Sequence, residues 1–348
     1  PIIVSRRARL GRINVVVSSG EGEPYTLLAE TLRSDADESD PDLAGTIELY
    51  ESPEELPPEE RDVLILPAAY GERRDRLVAV DPYVLTLDRR AGESPLQEPG
   101  STLPELTDWL GSLDTGRWTP LLIAGERRED FAAFTLYLAG EILQEESLEM
   151  LRSELRDASE AARGERAPTE AMAGDPEALE ALMERLSPVI ELLQGWKEGE
   201  ILVFNWTNYD RIALEQAIRE GSAAVVFQRR SELESLVWEE AFHLRMRLPP
   251  VGASRRLYSM VGFGVSVTAG NGARADATPE IVSMLRNPDL QDAIEQDSSW
   301  SPLVHEGTPI NREHRDVVRW VRGAQEYLLL DGAVVDHPLF RRLHQILR

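Results

Sequence analysis

Short apolar runs alternate with stretches of helical periodicity in the first part of the chain. Runs rich in Val, Ile and Leu predict strands at residues 13–18, 46–50, 62–66, 84–87 and 120–124. Apolar positions three and four residues apart predict helices at residues 25–33 and 106–113. Strands joined by helical crossovers build parallel βαβ units. Residues 1–125 therefore predict an α/β lobe with an open parallel sheet, Rossmann-like or flavodoxin-like.

The next stretch, residues 126–196, has the pattern of a helical connector. Phe131, Phe134 and Leu138 recur at helical spacing, with charged residues between the apolar positions. Residues 163–174 (Arg-Gly-Glu-Arg-Ala-Pro-Thr-Glu-Ala-Met-Ala-Gly) interrupt this pattern, and we interpret them as a linker.

A second alternation of strands and helices fills residues 197–275. Its predicted elements are a strand at 201–206, a helix at 209–220, a strand at 223–227, a helix at 231–248 and an edge strand at 261–268. Gly221 is placed to end the first of these helices in a left-handed conformation. Residues 276–348 are predicted to be mostly helical.

These patterns together predict an α/β protein with two small parallel-sheet lobes and with helical connecting and C-terminal segments. A cleft between two lobes is the usual place for a small ligand. We therefore expect any ligand-binding or catalytic residues to face such a cleft.

Composition excludes several classes of protein. The 348 residues are 42% hydrophobic and 28% charged, which is typical of a globular chain, and they include no cysteine. Disulfide scaffolds, thiolate metal sites and cysteine nucleophiles are therefore excluded. No apolar run is long enough to span a bilayer, and the first residues lack the apolar core of a signal peptide. From these features we predict a cytoplasmic protein.

The charge balance bears on the choice of partners. Acidic residues outnumber basic ones by 62 to 37, which gives a formal net charge of −25, and Lys197 is the only lysine. A field of this sign repels phosphate backbones and anionic lipids, so nucleic acids and membranes are disfavoured as partners. The scarcity of lysine is typical of GC-rich coding and also of a halophile-like composition, and both interpretations stay open.

The C-terminal end has a different charge balance from the rest of the chain. Residues 311–348 carry seven Arg against five acidic residues, together with three of the five His. This region is a candidate docking face for a protein partner or for self-association into an oligomer. The alternative interpretation is a solvated helical surface.

No cofactor motif is complete. Gly20 and Gly22 follow the first predicted strand, but Tyr25 occupies the third glycine position of a dinucleotide fingerprint. Glu21 and Glu23 would also compete with a phosphate for the start of the following helix. The Gly-x-x-x-x-Gly-Lys motif of P-loop nucleotide-binding proteins is also absent, so no cofactor can be predicted from the sequence.

Glu239, Glu240 and His243 are the candidate catalytic residues. Glu240 and His243 are three positions apart, so on the predicted helix they share one side. A neutral histidine beside a carboxylate suits acid–base chemistry near neutral pH. A metal centre would need a second Glu-x-x-His half-site, which is absent, and we predict no metal site. The alternative is an ion pair with Arg245 or Arg247.

Arg229 and Arg230 are the candidate ligand-binding residues. They follow the predicted strand 223–227, and open α/β sheets bind ligands at the carboxyl ends of their strands. Two guanidinium groups there could hold a small anionic ligand through paired hydrogen bonds. Asp62 and Asp88, beside other strands, could instead hold a cation.

The sequence thus predicts an acidic ligand-binding or partner-binding regulatory module without a recognisable catalytic motif. One alternative is a hydrolase or isomerase that uses Glu240 and His243 in the cleft. Another is a structural subunit of a large assembly, such as a virus particle or a defence complex.

Overall fold

A computed structural model describes the chain at residues 13–17, 25, 28–30, 32, 47–50, 53–88, 90–91, 102–162, 176–234, 244–247, 259–297, 300–302, 321, 323 and 326–348. The contacts group the chain into two compact units. The first unit comprises Pro1–Ala68, Glu72–Asp81 and Phe263–Ile310. The second unit comprises Ala69–Gly71, Pro82–Gly262 and Asn311–Arg348.

The strands are β1 (Ile13–Val17), β2 (Ile47–Tyr50), β3 (Val63–Pro67), β4 (Leu77–Asp88), β5 (Thr119–Ile123), β6 (Ala223–Arg229), β7 (Leu244–Arg247), β8 (Ser259–Ala269), β9 (Ser301–Pro302) and β10 (Glu326–Leu329). The helices are α1 (Leu103–Gly111), α2 (Arg128–Ile142), α3 (Glu145–Ala162), α4 (Pro176–Arg185), α5 (Ser187–Glu198), α6 (Arg211–Glu220), α7 (Arg230–Glu234), α8 (Thr278–Leu285), α9 (Pro288–Asp297), α10 (Gly332–Val335) and α11 (Pro338–Leu347).

The first unit is built on a mixed sheet. Strand β1 lies between β2 and β3 and is parallel to both. Strand β8 then pairs antiparallel with β3, with Val63 opposite Ala269 and Pro67 opposite Val265. Apolar side chains of these strands pack with Ile281 from α8 and other residues of α8 and α9 in one buried cluster. This packing is what buries the β-branched faces of the parallel strands.

The second unit is also built on a mixed sheet. Strands β5 and β6 are parallel, and the second half of β4 pairs antiparallel with β6, with Tyr83 opposite Arg229. Strand β7 pairs with β4 along 85–88. Strand β10 pairs in parallel with the first residues of β8.

Helix α2 forms the centre of the helical part of the second unit. Every residue from Asp130 to Ala139 is buried, so the helix has no solvated face over this stretch. Phe134 lies at the middle, with ring contacts to Trp196, Trp206 and Phe227. These rings join α2 to the underlying sheet and to α5.

The predicted α/β class is confirmed, with a correction to the sheet. The strand runs predicted from the sequence correspond to β1, β2, β3, β5 and β6 within a few residues. The parallel pairs β1–β2, β1–β3 and β5–β6 are present, but β4 and β8 add antiparallel neighbours. The sheets are therefore mixed, because the long strands β4 and β8 run antiparallel to strands of the βαβ units.

Three local predictions have different outcomes. Helix α6 ends at Gly221 in the left-handed conformation, with φ of 65°, as predicted. The strand predicted at 201–206 is wrong: the segment contributes one isolated bridge, between Leu202 and Leu121, and a 3₁₀ turn. The helix predicted at 231–248 is wrong at its end, because Leu244–Arg247 is strand β7.

The predicted edge strand at 261–268 is also corrected. It forms most of β8, which pairs with β3 along 265–269 and with β10 along 259–262. Val265 and Val267 are fully buried. The strand therefore lies inside a sheet, which its two glycines did not indicate.

Each of the two units is discontinuous in the sequence, and the division into four consecutive segments stays a prediction. Strand β4 begins in the first unit and ends in the second, and β8 runs from the second unit into the first. Each unit therefore combines segments that are far apart in the sequence. The linker predicted at 163–174 lies outside the described residues.

Candidate functional site

Charged side chains gather at the carboxyl ends of β5 and β6 in the second unit. Helix α2 begins at Arg128, shortly after β5, and α7 begins at Arg230, directly after β6. Because the two strands are parallel, their carboxyl ends lie at the same edge of the sheet. Ligands of open α/β sheets bind at such an edge.

A close backbone approach fixes the loop between β5 and α2. A Cβ atom on Gly125 would lie 2.5 Å from the carbonyl oxygen of Trp206, so only glycine fits there. Trp206 is itself buried and stacks on Phe131 of α2 with a centroid separation of 5.6 Å. The start of α2 is therefore held against the segment that leads into α6.

Six side chains at this edge form what we call the charged cluster: Arg127, Glu129, Asp130, Arg211, Arg229 and Glu232. Glu232 is its centre. One of its carboxylate oxygens, Oε1, lies 2.5 Å from Arg127 Nη1 and 2.7 Å from Arg229 Nη2. The same oxygen lies 3.5 Å from Arg211 Nη1. One buried carboxylate therefore compensates guanidinium groups from three different elements.

Asp130 occupies the buried side of the cluster. The hydroxyl of Tyr83 on β4 donates to Asp130 Oδ1 over 2.6 Å, and Arg127 Nε lies 3.4 Å from Oδ2. Burial raises the pKa of Asp130 to about 7, although the charge of Arg127 acts in the opposite direction. The carboxyl group is therefore close to half-protonated near neutral pH.

Glu232 responds differently to the same environment. Burial alone would raise the pKa of Glu232, but the positive charges of Arg229 and Arg127 outweigh it and lower that pKa. Burial works against the charged form of Arg127, yet Asp130 and Glu232 raise its pKa above the usual value. Glu232 and Arg127 are therefore held as ions, and Asp130 is the group that titrates.

The cluster combines balanced charge with partial exposure. Among the described residues, three guanidinium groups face three carboxyl groups, of which Asp130 is about half-protonated near neutral pH, so the net charge of these six side chains is small. The side chains of Arg127 and Arg229 are 20% and 24% exposed, and that of Glu129 is 33% exposed. These groups present hydrogen-bond donors and acceptors to solvent at one place, which suits a polar ligand without a strong charge.

The sequence-predicted residues fall in three different situations. Arg229 lies in the cluster and is paired with Glu232. Arg230 starts α7 and is fully buried, so its side chain offers no surface to a ligand. Glu239, Glu240 and His243 lie outside the described residues.

The proposed roles of these residues stay predictions. They are the anion clamp of Arg229 and Arg230 and the acid–base role of Glu240 and His243. Sequence reasoning missed Arg127, Asp130 and Glu232. The one available signal was the charged run Glu126–Asp130 directly after a predicted strand.

The two aspartates considered as cation ligands are used within the fold. Asp62 Oδ1 and Oδ2 accept the backbone N–H groups of Arg274 and Asn14 at 2.6 and 2.9 Å. Asp88 forms a two-oxygen ion pair with Arg90, including a contact of 2.5 Å. Within the described part of the chain, no group of three potential ligands could hold a metal ion.

The described histidines of the C-terminal region serve internal contacts. His337 is buried at the start of α11, where its Nδ1 accepts the N–H of Leu339 at 3.3 Å. Burial lowers the pKa of His337 to about 4, and the nearby charge of Arg341 adds to this effect. His344 Nε2 lies 2.9 Å from the carbonyl oxygen of Thr207. Docking through this region, oligomer formation and a halophile-like adaptation stay predictions.

Comparison with known proteins gives a result at the level of the fold. No family model matches the sequence, and no curated protein matches it. A probable secreted solute-binding lipoprotein from Streptomyces coelicolor is similar in structure, with a TM-score of 0.63 and 11% identity over 97% of this chain and 94% of that chain. The bacterial solute receptor AcbH is also similar in structure, with a TM-score of 0.65 and 11% identity over 97% of this chain and 95% of the receptor. This chain has the fold of the solute-binding proteins.

The solute-binding fold extends to proteins with named sugar ligands. A maltose-bound protein from T. maritima matches with a TM-score of 0.53 and 14% identity over 97% of this chain and 94% of that chain. The AcbH receptor is described as having an exclusive preference for β-D-galactopyranose.

The comparisons also bear on location. The prediction of a cytoplasmic protein is wrong, because these neighbours are a probable secreted lipoprotein and a bacterial solute receptor. Among the described helices, none combines the length and apolarity that crossing a bilayer requires.

Proposed function

We propose that this protein binds a small uncharged solute, a monosaccharide or short oligosaccharide, outside the cytoplasm. The observation that carries the proposal is the solute-binding fold, which extends over 97% of the chain. The ligand would contact the charged cluster at the carboxyl edge of the sheet in the second unit.

The pairing within the cluster supports a neutral ligand over an anionic one. An anion would compete with Glu232 for the guanidinium groups of Arg127 and Arg229, which already hold that carboxylate at 2.5 and 2.7 Å. A sugar hydroxyl both donates and accepts, so it can bind at the exposed side of a paired guanidinium or carboxylate without breaking the pair. Planar charged side chains also fix the direction of such hydrogen bonds.

A thermal unfolding screen tests the proposal. The probes are galactose, maltose and stachyose, with inorganic phosphate and citrate as the anionic comparison. We expect at least one saccharide to raise the unfolding midpoint, since a ligand at 100 times its Kd adds about 2.7 kcal/mol to the native state. Stabilisation by the anions alone, or by no saccharide at about 10 mM, would contradict the proposal.

Substitutions at the exposed side of the cluster connect the binding to the site. Arg211→Gln and Glu129→Gln replace a guanidinium and a carboxylate at partly exposed positions by neutral amides. We expect each substitution to weaken saccharide binding about tenfold. Arg219→Gln is the matched control, because Arg219 lies on the same helix as Arg211 and is exposed. An equal loss in the control would show that the cluster is not the site.

A further inference from the structure

The second unit has a separate cavity at the other end of β5. Its volume is about 830 Å³, and Thr119 and Pro120 at the amino end of the strand line it. The charged cluster follows the carboxyl end of the same strand, so about 13 Å of extended chain separates the two places. A cavity of this size lies in the range of small-molecule sites.

The wall of the cavity carries exposed apolar side chains. Phe204 is 81% exposed and Ile346 is 44% exposed. They are two of the four large hydrophobic residues that are exposed in the described part of the chain. Trp118 is buried and also lines the cavity. The cavity therefore offers apolar surface that the described residues leave exposed.

The only lysine of the chain also lines this wall. The ammonium of Lys197 lies 4.8 Å from the centroid of the Phe204 ring and 3.4 Å from the carbonyl oxygen of Leu347. In the described part of the chain it forms no ion pair with a carboxylate.

Glu200 brings a carboxylate to the same wall in a strained backbone conformation. Its φ is 59°, and it is the one described non-glycine residue with a positive φ. The N–H groups of Ile201 and Glu200 donate to the carbonyls of Trp196 and Lys197, so Glu200 occupies the position after helix α5 that glycine normally takes. Its carboxylate accepts from Thr115 Oγ1 at 3.4 Å and forms no ion pair with a described residue.

These observations point to a ligand with two opposite charges. We propose that the cavity binds a zwitterion with an apolar side chain, of the size of an aromatic amino acid or a dipeptide. Its carboxylate would contact Lys197, its ammonium would contact Glu200, and its side chain would cover Phe204. A purely anionic ligand would face Glu200 and a purely cationic one would face Lys197, and each would be repelled.

The strained backbone of Glu200 supports this placement, because residues held in such conformations cluster at active sites and ligand sites. This site does not depend on the proposed function, since it lies at the opposite end of β5 and takes a ligand of different chemistry.

Calorimetric titration with matched probes tests the charge requirement. L-phenylalanine is compared with phenethylamine, which lacks the carboxylate, and with 3-phenylpropionate, which lacks the ammonium. We expect both analogues to bind at least tenfold more weakly than L-phenylalanine. The dipeptide Leu-Phe distinguishes a peptide site from an amino-acid site. Equal binding of all three phenyl probes, or no binding of either zwitterion at about 10 mM, would overturn the proposal.

Substitutions locate the binding. Lys197→Met, Glu200→Gln and Phe204→Ala should each weaken the binding of L-phenylalanine about tenfold or more. Ile212→Ala is the control for Phe204, since Ile212 is 76% exposed and does not line the cavity. Binding that survives the first three substitutions but is lost in Arg211→Gln would place the ligand at the charged cluster and overturn the proposal.

The Glu200→Gly variant distinguishes a role of the Glu200 side chain in ligand binding from a role in folding. Glycine adopts the positive φ without strain, so we expect the unfolding midpoint to rise by roughly 2 °C while zwitterion binding falls. A variant that is more stable and binds L-phenylalanine as the wild type does would contradict the role of Glu200. Saccharide binding at the charged cluster should be unchanged, so failure of one proposal leaves the other testable.

Discussion

The two ends of β5 use charge in opposite ways. At the carboxyl end, each guanidinium of the charged cluster lies within ion-pair distance of a carboxyl group, and Glu232 alone contacts three of them. At the amino end, Lys197 and Glu200 line one cavity and form no ion pair with a described residue. The first arrangement stabilises the unit and presents a neutral polar surface. The second leaves charge available for a ligand.

This difference has a physical origin. A buried charge must be compensated within the protein because water cannot reach it, whereas a partly exposed charge can stay unpaired at little cost. Glu232 is 8% exposed and needs its arginines. Lys197 is half-buried and Glu200 is exposed, so both charges can remain solvated until a ligand binds.

The largest effect is expected when the centre of the charged cluster is removed. Glu232→Gln leaves the half-buried guanidinium of Arg127 without its closest carboxylate, so the free energy of unfolding should fall by about 2–4 kcal/mol. Urea denaturation measures the change. The control is Glu215→Gln, which removes a more exposed partner, 30% exposed, of Arg211 and should cost less than about 1 kcal/mol. Similar losses in the two variants would contradict the distinction between buried and exposed pairs.

A second effect concerns the dependence of stability on pH. The pKa of Asp130 is raised from 3.8 to about 7 in the folded protein, so the folded state binds this proton more tightly than the unfolded state. The stability that the group contributes is present at low pH and is lost as pH rises between about 4 and 7. Wild type should lose roughly 2–4 kcal/mol over this window relative to Asp130→Asn.

Urea denaturation of both proteins across the window measures this difference. His337, with a pKa lowered to about 4, acts with the opposite sign, because its stabilising contribution is lost as pH falls below about 6.5. The comparison with Asp130→Asn removes that background, since both proteins retain His337. Parallel pH profiles would show that Asp130 does not titrate as described.

The smallest effect is expected at the amino end of β5. Lys197→Met removes a charge that pairs with no carboxylate among the described residues, so the free energy of unfolding should change by less than about 0.5 kcal/mol. Urea denaturation with Ile212→Ala as a second exposed control checks this value. A loss comparable to that of Glu232→Gln would mean that Lys197 is structural, and the contrast between the two ends would fail.

The sequence allowed prediction of the elements that local pattern determines. The β-branched runs of β1, β3 and β6 predicted strands, and Gly221 predicted the end of α6. Strand β4 was predicted only in part, because Pro82 in its middle is typical of a strand end. Pro82 instead lies where the chain passes from the first unit into the second.

The remaining features depend on distant contacts. Strand β7 (Leu-Arg-Met-Arg) alternates apolar residues with arginine, which is a strand pattern, although the segment was predicted as part of a helix. It pairs with β4, more than 150 residues away in the sequence. The position of Arg229 at a strand end could be predicted from local sequence. Its pairing with Glu232 three residues later, like that of Arg127 with Asp130, also lies within local sequence. The convergence of Arg127 and Arg211 on Glu232 could not be predicted, because these residues are distant in the sequence and meet only in the fold.

The most direct test of the account is the salt dependence of saccharide binding. A stabilising saccharide is titrated calorimetrically into the protein in about 0.05 M and about 0.5 M NaCl. We expect Kd values within about twofold of each other, because a neutral ligand at a balanced cluster gains little from long-range attraction. Affinity that falls tenfold or more at high salt would contradict it and would indicate that uncompensated charge drives binding.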